Sequence, residues 1–321
     1  MPQIPSGLKP WLVPIWNGSH QLIRAVRPFV SAVLFGRFER CVVCGRFGPM
    51  LYRPEYIPRR LVELWGLSPR LAKVLAQRES CLCAWCGAKL RARRIARVLL
   101  ETYPVGRPSQ RAATVAAWVR DPEIRQLRVA EINEVEGLHT LLGQLPGLSY
   151  SEFRDGQEPG AIVEGVRCED LTRLTYADAS IDLLITSETL EHVPNLEAAL
   201  REIRRVLAPG GRHVFTVPLL PHVPRTFSRA SLSPDGAIVP RMPLICHPGG
   251  DSGYPVFTEF GTDLPSLLRQ SGFETTVALG ELTQGDLAQV FICRKTIEGA
   301  ANSTSRISSP DLRQEREMDP I

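Results

Sequence analysis

Two cysteine pairs, Cys41-Val42-Val43-Cys44-Gly45 and Cys83-Ala84-Trp85-Cys86-Gly87, repeat one spacing and one following glycine. Each spacing puts two thiols on a single tight turn, and glycine permits the left-handed backbone that closes it. Four thiolates make a closed tetrahedral zinc site, structural because no position is left for water. A disulfide pair and a redox CxxC are the competing chemistries. Two matched pairs in a chain that does not open with a secretory signal favour zinc. Cys81 is a spare thiol able to compete as a ligand, while Cys168, Cys246 and Cys293 read as ordinary domain cysteines. Zinc in such a site would contribute roughly 10 kcal/mol or more to the folding of a small module.

The elements that must hold these turns divide the chain into four stretches: 1–40, rich in Trp, Pro and Arg; a zinc module at 41–107; an α/β domain at 108–296; and a polar, disordered tail at 297–321. Helical pattern covers Arg60–Gln77 and the basic Ala88–Leu100. The α/β domain alternates strand and helix. Strands are expected at Arg128–Ile132, around Leu148–Phe153, around Ala161–Cys168, at Ile181–Thr186 and at His213–Val217. Helices are expected at Gly137–Leu145, at Phe260–Gln270, and after Asn195, where apolar residues recur at 3.6-residue spacing until Pro209-Gly210-Gly211. Phe273–Leu279 and Ala288–Arg294 would close the domain as an antiparallel hairpin. The continuous apolar run Ile181–Thr186 suits a parallel strand covered on both faces. This alternation implies a doubly wound, mainly parallel, Rossmann-like sheet.

Three segments carry a family resemblance. Tyr176–Asp182 (YADASID), Thr189–Pro194 (TLEHVP) and Arg205–Gly211 (RVLAPGG) resemble, in order and spacing, three motifs of class I S-adenosylmethionine-dependent methyltransferases of the type 11 kind. The resemblance covers most of residues 165–218. It implies a seven-stranded sheet, the S-adenosylmethionine cofactor, and a cofactor site outside the carboxyl ends of the central strands.

Carried over by position, the resemblance places Glu131 at the acidic site of the first strand and Gly137 at the last glycine of the cofactor loop. Glu152 falls where a carboxylate would accept from both ribose hydroxyls, since two cis hydroxyls suit one bidentate acceptor. Asp170, with Leu171, falls beside the adenine, and Ser187 and Glu188 line the cofactor and acceptor cleft. The loop departs from the family at two positions, where Asn133 and Val135 replace glycines. Asparagine accepts a left-handed backbone, but a β-branched valine does not, at a cost of about 1–3 kcal/mol, so the loop must follow another path. A domain that has lost cofactor binding is the alternative.

The activated methyl group leaves the protein only alignment and, for a hydroxyl acceptor, a general base. His192, His222 and His247 are the candidates, with His192 and His247 placed best. No Asn/Asp-Pro-Pro-Tyr/Phe segment follows the fourth strand, where Thr186-Ser187-Glu188-Thr189 stands instead. This favours oxygen methylation of a small-molecule, glycan or lipid acceptor over methylation of a base amine in nucleic acid.

Charge is divided unevenly: residues 1–107 hold 18 Lys/Arg against 5 Asp/Glu, and the remainder 20 against 29. The basic half should seek anions. In Ala88–Leu100, Ala92, Ile95, Ala96 and Leu99 share one side of a helix and Arg91, Arg93, Arg94 and Arg97 the other. Phosphates of a nucleic acid and the chain's own acidic half both answer that stripe. An RNA methyltransferase with a zinc module is therefore the second enzyme reading. No run of 18 apolar residues marks a transmembrane helix, Leu22–Phe38 could lie on a membrane surface, and a cytoplasmic location is expected.

Overall fold

The computed structural model describes residues 38–52, 57–105, 111–247, 253–279 and 288–296. The expected N-terminal segment up to residue 37, including most of Leu22–Phe38, and the C-terminal tail lie outside the described residues.

The cysteine module is a three-stranded antiparallel sheet with three helices. Its strands are β1 (Phe38–Arg40), β2 (Phe47–Leu51) and β3 (Leu82–Cys83). Its helices are α1 (Arg59–Leu64), α2 (Pro69–Ser80) and α3 (Leu90–Thr102). The helix expected over Arg60–Gln77 is thus broken in two. Gly66 sits at φ +58°, and Ser68 starts a new helix by accepting the Leu71 amide at 3.3 Å, with Pro69 at the first helical position. A single turn, α4 (Val115–Trp118), then leads into the larger domain.

There the chain runs β4 (Val129–Ile132), α5 (His139–Leu142), β5 (Leu148–Glu152), β6 (Ile162–Val163), β7 (Val166–Cys168), β8 (Ile181–Ser187), α6 (Leu196–Val206) and β9 (Leu207–Thr216). Short strands follow: β10 (Phe227–Ser228), β11 (Ala230–Leu232), β12 (Ile238–Pro240), β13 (Cys246–His247), β14 (Tyr254–Pro255) and β15 (Thr258–Glu259). Helix α7 (Leu264–Gln270) and strands β16 (Phe273–Ala278) and β17 (Val290–Lys295) complete it.

The main sheet has the order β16-β17-β9-β8-β4-β5-β7-β6. Its centre is parallel: β4 pairs β5 and β8, β5 pairs β7, and β8 pairs β9. The closing hairpin is antiparallel as expected, with β17 inserted between β16 and β9. One correction concerns the strand count. The segment read as one strand around Ala161–Cys168 is a hairpin, turned at Glu164 (φ +53°) and Gly165 (φ +81°), so the sheet has eight strands rather than seven. A second concerns α6, which Asn195 caps by accepting the Ala198 amide at 3.0 Å. It ends at Val206, before the proline, and Pro209-Gly210-Gly211 lies inside β9, where the pairing to β8 slips register. The helices expected at Gly137–Leu145 and Phe260–Gln270 are also shorter, at His139–Leu142 and Leu264–Gln270.

The two modules share one core. Val43, Met50, Ile95 and Leu99 of the cysteine module pack in the same buried cluster as Val129, Val135, Leu183, Val214 and Val290 of the sheet. Helix α3 serves as a layer of the larger domain, covering one sheet face, while α6 and α7 cover the other with Leu200, Ile203, Leu264 and Leu268. A smaller cluster ties Trp65 and Leu75 to Leu220, Ile245 and Val256, so α1–α2 and the segment after β9 roof one end of the sheet.

Candidate functional site

The sheet order reverses at β4, whose neighbours β5 and β8 lead the chain in opposite directions, and a crevice opens beyond the carboxyl ends of these strands. A cavity of about 500 Å3 lies there. Of the residues expected to hold cofactor, Asn133, Glu152, Asp170, Leu171, Ser187 and Glu188 line it, together with His192 and His247. His222 is exposed and does not line it.

Glu131 and Gly137 depart from expectation. Glu131 is fully buried beneath the loop, accepting the Val135 amide at 3.0 Å and pairing with His139 Nδ1 at 2.6 Å. Burial pushes its carboxyl up, and the His139 hydrogen bond opposes that. It shapes the loop without reaching the cavity. Gly137 faces away, against the second cysteine turn. A Cβ there would meet the Ala88 amide nitrogen at 2.4 Å and the Cys86 carbonyl at 2.5 Å. The glycine at φ +73° is required by its close approach to the cysteine module.

The altered loop resolves as its residues demand. Asn133 takes the left-handed conformation at φ +62°, and its Oδ1 accepts the Phe153 amide at 3.3 Å, tying the ends of β4 and β5 together. Val135 avoids positive φ and is wholly buried in the shared core. The reshaped loop therefore turns its apolar residue inward and leaves Glu134 and Glu136 on the cavity side.

Sequence reasoning missed the wall opposite the sheet, which comes from the cysteine module. Arg78, buried on α2, donates to Glu188 through Nη1 (3.0 Å to Oε2) and Nη2 (2.5 Å to Oε1), and to Glu79 at 2.5 Å. Arg91 of α3 bridges Glu79 and both oxygens of Glu136, at 2.8 and 3.0 Å, and Lys89 reaches Glu136 at 2.6 Å. Burial would raise Glu136 and Glu79, but the adjacent Arg91, with Lys89 and, for Glu79, Arg78, outweighs it and holds both carboxyls low. Arg93 is likewise buried, on Glu39 and the Cys81 sulfur. Of the two partners open to this stripe, the chain's own carboxylates take Arg91 and Arg93: Arg91 meets Glu136 of the acidic half as well as Glu79, while Arg97 stays exposed.

Glu152 accepts from Tyr150 Oη at 2.5 Å and Arg154 at 3.3 Å, and its carboxylate stays at the cavity rim. Asp170 Oδ1 accepts the Thr172 amide and hydroxyl, both at 2.8 Å, which fixes the turn after β7. At the far end, His192 Nδ1 faces the Pro255 carbonyl at 2.8 Å. His247, on β13, stands edge-on to His192 with ring centres 4.9 Å apart. Burial depresses both imidazoles, and the His192 neighbour helps bring His247 to about 4, so both are neutral near pH 7. Behind them Glu191 is 1% exposed, and neither carboxylate oxygen has a hydrogen-bond partner. Burial, then the charge of Glu188, pushes Glu191 well above the carboxylate range.

The four expected zinc ligands converge. Cys41 and Cys86 sulfurs lie 3.8 Å apart, Cys44 and Cys83 3.9 Å, and all four within 4.8 Å. A zinc ion with Zn–S of about 2.3 Å requires tetrahedron edges near 3.8 Å, so the donors fit. Amides of Val43 and Cys44 point at Cys41, that of Arg46 at Cys44 and that of Ala88 at Cys86, as thiolates require. Gly45 and Gly87 close the turns at φ +77° and +72°. Cys81 stays outside the cluster.

Residues 150–215, from β5 to β9, match the family model described as a methyltransferase domain. Similar solved structures include the 1,6-didemethyltoxoflavin-N1-methyltransferase of Burkholderia thailandensis, 18% identical over 57% of this chain and 77% of that one, with a TM-score of 0.34. An S-adenosylmethionine-dependent methyltransferase from Mesorhizobium loti is also 18% identical, over 56% of this chain and 98% of that one, with a TM-score of 0.35. The match over β5–β9 makes the chain an enzyme with a methyltransferase domain. Among the described residues no helix is long and apolar enough to cross a membrane.

Proposed function

We propose that the chain is an S-adenosylmethionine-dependent methyltransferase that methylates an oxygen of a small-molecule, glycan or lipid acceptor, with structural zinc on Cys41, Cys44, Cys83 and Cys86. One observation carries the reading: Glu152 and Asp170, from the ends of β5 and β7, meet Glu188 in a single cavity at the point where the strand order reverses. The cofactor would bring an already activated methyl group on a sulfonium. Glu152 would accept the ribose hydroxyls, Asp170 and Leu171 would flank the adenine, and the excess of carboxylates around the cavity over Arg78, Lys89 and Arg91 suits a cationic ligand. His192 and His247, neutral and at the cavity, are placed to accept an acceptor proton.

The RNA alternative loses support from the burial of Arg91 and Arg93 in ion pairs. The test is calorimetric titration of the zinc-loaded full chain with S-adenosylmethionine and its demethylated product. Saturable heat from both, lost in Glu152→Ala, is expected. No heat at near-millimolar cofactor overturns the proposal.

A further inference from the structure

The methyl-transfer reading uses only the imidazoles of the Glu191, His192 and His247 cluster and leaves its buried, unpartnered carboxylate without a role. One ligand atom of each lies within 4.8 Å of the others. Glu191 Oε1 is 3.7 Å from His192 Nε2 and 3.7 Å from His247 Nδ1, too far for hydrogen bonds. A buried carboxylate with both oxygens unpaired is costly and ordinarily meets a donor or a cation. Two donors bound to one ion at about 2.1 Å would stand about 3.0–3.4 Å apart, so a contraction of a few tenths of an ångström closes the triad on a metal.

The surroundings orient it. The Pro255 carbonyl at 2.8 Å holds the proton of His192 on Nδ1 and leaves Nε2 with its lone pair, the outer-shell arrangement that metal-bound histidines use. His247 arrives on the β13–β14 pairing and is packed edge-on by Trp65 at 5.9 Å. Both imidazoles line the cavity, while Glu191 lies behind them.

We infer that Glu191, His192 and His247 form a second metal site, taking one first-row divalent cation through a carboxylate oxygen and two imidazole nitrogens, with its open positions toward the cavity. Two nitrogens and one oxygen suit zinc, manganese, cobalt or ferrous iron better than magnesium or calcium, which prefer all-oxygen shells. Three protein ligands leave room for an exogenous oxygen, in contrast to the closed four-thiolate site. Resting on the reading of the cavity as a methyl-transfer site, this narrows the acceptor to molecules whose reacting hydroxyl, or an oxygen beside it, can bind a metal.

The experiment is metal titration of the full chain with cobalt(II) alone, read by absorption and by metal content. Two ions per chain are expected: one with intense thiolate-to-cobalt bands, and one with only the weak bands of a nitrogen and oxygen shell. Glu191→Gln and His247→Ala should each weaken the second ion by more than about 100-fold, beyond what loss of an outer-shell partner costs. The thiolate bands should persist and report an intact fold. A single ion in the wild-type chain, or a second ion equally tight in both variants, overturns the inference. Cofactor titration of the same samples separates the two readings. Metal without cofactor binding sinks the methyltransferase proposal, and cofactor binding without a second ion sinks only the metal site.

Discussion

Arg78 and Glu188 form a two-point ion pair between a helix of the cysteine module and the end of the central strand β8. The arginine is 2% exposed, so the pair is a buried charge contact at the seam between a basic and an acidic half of the chain. Removing one partner leaves the other desolvated and unpaired. Arg78→Met should therefore destabilise the fold by about 3–5 kcal/mol, and the double variant Arg78→Met/Glu188→Gln should recover a substantial part. Urea unfolding of the four proteins closes the cycle, and strict additivity would show that the pair is not coupled.

Gly137 joins the loop after β4 to the second cysteine turn. Gly137→Ala combines a left-handed backbone with a Cβ inside contact distance of Ala88 and Cys86, and should cost more than about 2 kcal/mol. It should also weaken zinc retention, measured by release to a chromogenic chelator. A stable variant with normal zinc affinity would remove the proposed coupling.

Zinc removal should act on the cavity as well as on the module, because Cys86 and Ala88 back the loop that carries Asn133 and Glu134. Stripping the metal with a chelator, or Cys83→Ser, should lower Tm and weaken cofactor binding at least about tenfold, a coupling of about 1.4 kcal/mol. Cys81→Ser should leave both unchanged. Equal loss in Cys81→Ser would show that the ligand set is different.

His213 supplies an acid-sensitive element. It is fully buried on β9, its Nε2 2.9 Å from Thr186 Oγ1, and burial pushes its pKa down to about 3. The unfolded chain then binds the extra proton between about pH 6.5 and 3, so stability is present above that window and falls as the pH falls through it. The slope is about 1.4 kcal/mol per pH unit for this one group. Subtracting the stability profile of His213→Gln from that of the wild type isolates it, and a pH-independent difference would show that His213 does not titrate differently on folding.

The sheet was legible wherever a strand is buried on both faces. Ile181–Thr186 announces itself as an apolar run, Arg128–Ile132 as a short buried strand, and the Asn195 cap marks its helix. Pro209 misled because proline and two glycines also fit an irregular strand start, a choice set by pairing to β8 and not by local propensity. Arg91 and Arg93 left two partners open, phosphates and the chain's own carboxylates. A helical wheel shows them opposite the apolar face, and only the fold reveals that this face meets Glu79, Glu136 and Glu39. Six of the eight expected cofactor residues line the cavity because the motifs fix positions relative to strand ends. Glu191 escaped notice since its partner His247 arrives on an inserted segment whose placement no motif encodes.

The shared core also sets an order of assembly during synthesis. Helix α3 is complete by residue 102, yet the strand surface it covers includes β17, which ends at Lys295. The cysteine turns can close early, but Ile95 and Leu99 must wait for nearly the whole chain before water leaves them. A nascent or truncated chain would thus present a greasy helix with no bed to lie in, making this seam the place where chaperones would hold and proteases would cut.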